Sequence, residues 1–237
     1  MKVDREIEGM PKMDQAVDVE QGVWVTDFMQ TSSYMEGFTC EGAADGISAP
    51  VGLSDAGEEI PAERFPPAMW IGGSFKEPKK LKHIFSAGGL FAVSGAFAEI
   101  LRRHDLGQNA LYPVTFLSKD RTTAYEGEYF FLNICEQKSG FDPERSSNFR
   151  DYRERPSPRL GGTPLILDHG DIAVSASVLD GPDLWMDPTL ATSHFYKGEL
   201  ARELLAKKMF HSSGTESLSI ARCRVIDADG TVIGGDA

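Results

Sequence analysis

The chain has 237 residues, 41% of them hydrophobic, and a formal net charge of −12. That length supports one large or two small globular domains whose core needs no disulfide staples. The acid excess argues against nucleic acid as a direct partner, no apolar run approaches the roughly 20 residues of a membrane helix, and the first residues do not read as a secretory signal.

The charge is concentrated at one end. Residues 1–75 hold 14 acids and 4 bases, and the rest hold 22 and 20. One short run, Val23 to Phe28, has the β-branched and aromatic content of a strand. After it, glycine and proline recur too often for long elements, up to the apolar anchor Met69-Trp70-Ile71. Residues 1–75 are therefore expected to form an irregular acidic region, packed through Trp24 and Trp70 on a domain spanning 76–237.

That domain alternates strands and helices. Leu90–Val93 reads as a strand. Ser94 is a good N-cap, and Phe97, Ile100 and Leu101 make one helical stripe that Gly107 would close in the C′ position. Leu111–Leu117 follows as a strand, with Pro113 placing it at an edge or near a strand end. Tyr129–Ile134 is almost wholly apolar, as a central strand covered on both faces would be. Residues 138–162 read as a polar, arginine-rich loop. Leu165–Leu167 and Ile172–Val178 look like strands around a turn at Asp168-His169-Gly170-Asp171. A second helix spans about 198–209, with Leu200, Leu204, Leu205 and Met209 on one side. Leu218–Ile226 is the last long strand, and Asp229-Gly230 turns it into Thr231–Ile233. Each helix is followed by a strand, which suggests either an internal duplication or ordinary alternation. The predicted fold class is α+β, with a mixed or mainly antiparallel sheet and at least two packed helices.

Chemistry is sparse. Cys40, Cys135 and Cys223 are odd in number and widely spaced, which fits buried thiols in a reducing, cytoplasmic setting. Ser94 lies between a strand and a helix, where a serine hydrolase places its nucleophile. The flanking glycines of that motif are absent, and an N-cap accounts for the residue. Asp168 to Asp171 has metal-ligand types, but these are also standard turn residues. Arg145, Arg150, Arg153, Arg155 and Arg159 are interleaved with acids, as on a solvated loop or one docked on the acidic region. Gly181-Pro182-Asp183-Leu184-Trp185-Met186-Asp187-Pro188 reads as a rigid corner, with Trp185 a core anchor and Asp183 and Asp187 turn or capping residues. Zinc, phosphate-loop and dinucleotide motifs are missing, so no cofactor, metal or catalytic set is assigned.

Several ordered blocks carry a resemblance. They are Val93-Ser94 opening a helix, Leu111 to Val114, Glu128 to Asn133, Asp142 to Ser146, Asp183 to Pro188, and Phe195 with the Leu200–Leu205 helix. Their order and spacing resemble a bacterial immunity-protein family of polymorphic toxin systems over about residues 85–226. The resemblance implies a cytosolic α+β protein that binds and neutralises a cognate toxin without catalysis. Shared blocks would be scaffold, which leaves the acidic region as the interface candidate, through Asp14, Asp18, Glu20, Glu41, Glu58 and Glu59. A basic toxin would suit it. The alternatives are a serine hydrolase using Ser94 and a scaffold protein with no toxin partner.

Overall fold

A computed structural model describes residues 22–26, 35–41, 50–151, 162–164, 167–190, 193–212 and 219–235. In chain order its elements are β1 (Val23–Thr26), β2 (Met35–Glu36), β3 (Phe38–Thr39), α1 (Val51–Asp55), β4 (Ala68–Ile71), β5 (Ile84–Ala87), β6 (Leu90–Ser94), α2 (Gly95–Leu101), β7 (Ala110–Leu117) and β8 (Tyr129–Asn133). They continue with β9 (Phe149–Asp151), β10 (Gly162–Pro164), β11 (Ala173–Ser175), β12 (Leu184–Met186), β13 (His194–Lys197), α3 (Gly198–Ala206), β14 (His211–Ser212), β15 (Ser219–Arg222), β16 (Arg224–Ile226) and β17 (Val232–Gly234). The fold is α+β with mixed sheets, as the sequence predicts.

One sheet runs in the order β2-β5-β6-β8-β7-β4-β3. Its two edge strands are consecutive in the chain, separated only by Gly37. The edges are therefore two ends of one extended segment, and the sheet closes on itself as a small barrel. Closure removes the exposed edges that an open sheet would present. A Cβ at Gly37 would lie 2.1 Å from Cγ of Phe75, so the closing segment has room only for glycine there. The expected central strand, β8, does sit mid-sheet. Pro113 is compatible with an interior strand for a local reason. Thr115 N–H donates to Pro67 O at 3.0 Å on the β4 side, and residue 113 faces the same way but lies beyond the reach of β4. No ladder bond is lost.

The second half repeats this arrangement. The strand order β12-β13-β1-β15 matches β5-β6-β8-β7, with the same antiparallel registers. Ile84 and Phe85 pair with Val93 and Ala92, as Leu184 and Trp185 pair with Tyr196 and Phe195. Ala92↔Phe131 corresponds to Phe195↔Val25. The parallel pair Ala68↔Thr115 corresponds to Ala173↔Arg224. The bridges Gln137↔Met186 (parallel) and Phe141↔Val174 (antiparallel) repeat the pairings of β2 with β5 and of β3 with β4. Even single bonds recur. Gly95 N–H donates to Glu128 O at 2.7 Å and Gly198 N–H to Gly22 O at 2.8 Å, each where a helix leaves its barrel. The suggested duplication is thus present in the backbone, and β1 fills the place of β8 in the second copy.

Three cores follow from this geometry. Phe38, Met69, Phe85, Val114, Phe116, Tyr129 and Phe131 fill the first barrel. Val23, Val25, Val174, Trp185, Phe195, Ala221, Cys223 and Val225 fill the second. Equivalent positions trade volume, as close packing demands. Where the first barrel has Phe131, Phe116 and Ala92, the second has Val25, Val225 and Phe195, the last stacked on Trp185 at 5.7 Å. The third core lies between the barrels. It takes the outward faces of both and the buried sides of α2 and α3, which pack on each other. Phe91 and His194, equivalent in the two copies, touch there at 4.2 Å between ring centroids, as residues on a two-fold axis would.

Several expectations need correction. The first helix ends at Leu101 with Arg102 as its C-cap, so Gly107 is not its terminator. Gly107 has φ +55° and lies where a Cβ would meet the Glu136 carboxylate and Pro182. The 138–162 stretch is not all loop, because β9 pairs with β10, and Gln137 and Phe141 close the second barrel. The strand at Ile172–Val178 gives way after Ser175 to a 3-10 turn at Ala176–Leu179. The corner at 181–188 contains a strand, β12. The last strand breaks at Cys223 into β15 and β16. The N-terminal region is not simply irregular, since β1 lies inside the second barrel and β2 to β4 belong to the first. A boundary at residue 75 therefore runs through both sheets. Leu165 and Ile166 lie outside the described residues. Among the described residues no helix is long and apolar enough to cross a membrane.

Candidate functional site

Ser94 ends β6 at the start of α2. Its φ of −71° and ψ of 161° are ordinary extended values, and its hydroxyl accepts from Phe97 N–H at 3.3 Å, so the N-cap is real. The sequence alone did not show its partner, His83, whose Nδ1 lies 2.8 Å from Ser94 Oγ. Burial, then the Lys80 charge, lowers the His83 pKa, which keeps the ring neutral. Among the described residues no carboxylate is hydrogen-bonded to that ring to orient it as a triad would.

The second copy supplies the decisive comparison. Position 83 corresponds to Asp183 and position 94 to Lys197. Ser94 N–H donates to His83 O at 2.9 Å, and Lys197 N–H to Asp183 O at 2.9 Å. The side chains also meet in both copies, through the His83–Ser94 hydrogen bond and through an Asp183–Lys197 ion pair at 3.2 Å. Each pair latches the strand before a helix to the helix start. The contact is a property of the repeat, realised with different chemistry in each barrel.

Asp183 does more than turn the chain. Its Oδ2 accepts from Asp105 N–H at 3.0 Å and lies 3.6 Å from His104 Nδ1, while His104 Nε2 contacts Glu203 on α3 at 3.1 Å. Lys197 Nζ also donates to Gly181 O at 2.5 Å. This network ties the end of α2 to α3 and β12. Trp185 is 1% exposed, the core anchor expected of it. Lys138 Nζ sits 4.1 Å over its ring and donates to Val178 O and Pro182 O at 2.9 and 2.6 Å. Burial, then the neighbouring Lys197, pulls the Lys138 pKa down to about 8. Asp187, 2% exposed, accepts from Gly140 N–H, Phe141 N–H and Thr189 N–H at 2.8 Å each, and from Thr189 Oγ1 at 2.6 Å. All these partners are structural, and no sequence motif flagged Lys138, His104 or Glu203.

Of the acidic candidates, Asp14, Asp18 and Glu20 lie outside the described residues. Glu41, Glu58 and Glu59 are exposed. Glu59 shares its surroundings with Glu63 and Glu136. Burial raises the Tyr112 pKa first, and the charges of Cys135, Glu59 and Glu63 raise it further. Burial, then Glu136 and Glu59, raises that of Cys135. The negative field at this end of the first barrel thus comes from several chain segments. Cys223 is buried, while Cys40 and Cys135 are half-buried free thiols. Of the arginine run, Arg145 pairs with Asp142 at 2.7 Å, and Arg153, Arg155 and Arg159 lie outside the described residues. Asp171 N–H closes on Asp168 O at 3.2 Å, the expected turn, and His169 Nδ1 accepts from Arg222 N–H at 2.9 Å. No group of three or more potential metal ligands occurs among the described residues. No protein-family model matches the chain, and neither does any curated protein.

Proposed function

We propose that this chain is a cytoplasmic, non-catalytic immunity-type protein that binds a cognate bacterial toxin and neutralises it by occlusion. The observation that carries the reading is where the resembling blocks fall. Val93, Tyr129, Phe131, Leu132, Leu184, Trp185, Met186 and Phe195 all point into the three cores. Blocks that build the barrels are scaffold, so recognition falls to the exposed segments between them. Glu58 and Glu59, backed by Glu63 and Glu136, offer a carboxylate surface to a basic partner, and Glu41 is a further exposed acid. Such a surface acts mainly on encounter rate.

The test is affinity capture with the tagged chain from its native host, followed by kinetics on the captured partner. Reversing Glu41, Glu58 and Glu59 to lysine, together with Asp14, Asp18 and Glu20, slows association about 10-fold or more at low salt and flattens its salt dependence. An unchanged on-rate removes this surface from the interface. Recovery of background proteins alone, without a stoichiometric partner bearing a delivery module, removes the toxin reading.

One distance favours a second reading, the 2.8 Å His83–Ser94 contact, which is hydrolase-like. Against it stands the ion pair at the same place in the second copy. Ser94→Ala is expected to cost about 1 kcal/mol in chemical denaturation through loss of the cap, and the wild type is expected to take up no fluorophosphonate label. Labelling abolished by Ser94→Ala would establish the hydrolase instead.

A further inference from the structure

We propose that the slot between β13 and β15 is a strand-binding site, occupied natively by β1 and able to accept that strand in trans. In the first copy, β8 follows β7 through the hairpin turn at residues 118–124, where Leu117 bridges Ala124. In the second, the same turn follows β16: Gly230 N–H donates to Asp227 O and Arg121 N–H to Ser118 O, both at 3.1 Å. The hairpin arm there is β17, and the strand that completes the ring comes instead from the opposite end of the sequence.

The site reads its ligand in two ways. Main-chain bonds grip it on both sides: Val23–Val25 pair with Phe195–Lys197, Trp24–Thr26 with Ile220–Arg222, and Cys223 N–H donates to Val23 O at 2.8 Å. Alternate side chains then select the sequence, as in other forms of strand addition. Val23 and Val25 point inward and are 0% exposed, against a barrel already filled by Trp185 and Phe195. Trp24 points outward, edge-on to His169 at 5.5 Å. The ligand class is an extended peptide with small β-branched residues at alternate inward positions and an aromatic between them. The Tyr129-Phe130-Phe131 of β8 makes the equivalent pairings in the first barrel but is too large inward for the second.

The inference does not depend on the toxin reading and can be tested without a partner. A protease site is placed between Thr26 and Met35 of the full chain, which is folded and then cleaved. The N-terminal fragment is expected to co-elute with the remainder in native gel filtration. In mild denaturant it exchanges with a fluorescein-labelled synthetic peptide spanning residues 20–30. The same peptide carrying Val23→Asp and Val25→Asp competes about 100-fold less well, because two carboxylates would enter an apolar interior. Release of the fragment with the near-ultraviolet tryptophan signal of the remainder unchanged would overturn the proposal. Equal uptake of both peptides would overturn it too.

Discussion

Asp187→Ala is expected to destabilise the chain by about 3–5 kcal/mol in urea denaturation, a large part of the stability of a typical domain. The carboxylate is buried and takes four donors, from Gly140, Phe141 and Thr189. Two of them belong to the segment that closes the second barrel. Alanine leaves three N–H groups and a hydroxyl without their acceptor at part-buried positions, and only the exposed Thr189 can readily turn to water instead. Asp187→Asn restores acceptance through its amide oxygen but turns an NH2 toward the two donors of the other oxygen, so it should fall between alanine and wild type. Asp183→Ala, in a more exposed network, should cost about 1–2 kcal/mol. A midpoint for Asp187→Ala equivalent to less than about 1 kcal/mol of destabilisation would show that the closing segment holds without it.

The second large effect is acid lability centred on His194. Full burial holds this imidazole at about 3, against an ordinary value of 6.5. Between those values the unfolded chain binds a proton that the folded chain refuses. The stabilisation is complete above pH 6.5 and is lost progressively as pH falls toward 3, at up to about 1.4 kcal/mol per pH unit. At pH 5 this amounts to about 2 kcal/mol. His83 and His169 are also lowered by burial and act in the same direction. The informative comparison is therefore His194→Phe, which places the residue of its equivalent, Phe91, at the same axis. Urea midpoints from pH 7.5 to 4.5 should fall less steeply in that variant. Parallel slopes for the two proteins would exclude His194 as the source.

Local chemistry in the sequence anticipated local structure well. The Ser94 cap, the apolar run of β8, the turn at Asp229-Gly230 and the buried Trp185 each depend on a few adjacent residues. Barrel closure was not legible, because it rests on backbone pairing of very short segments. Residues 35–39 and 136–141 lack the long apolar alternation that marks a strand. The duplication was visible only as helix–strand alternation, since inward residues had exchanged volume: Phe131 against Val25, Ala92 against Phe195. The equivalence of β1 and β8 leaves no mark in the sequence order, because the two strands stand at different points along the chain. Gly107 has the residue type of a helix stop, yet the helix ends at Leu101 and the glycine serves the close approach of Glu136. The latch partners His83 and Lys197 carry no pattern, since each is meaningful only beside the other copy.

The meeting of Phe91 with His194 bears on how the two halves choose each other. A pair built from two first halves would set Phe against Phe across the axis, a dry contact with nothing to protonate. A pair built from two second halves would set one imidazole against another, with two titratable rings buried at the same place. The mixed pair has one ring of each kind, edge to face. It confines the titratable group to one side of the contact. Divergence at a single axial position thus makes the two halves unlike where they meet, with the titratable ring on one side only.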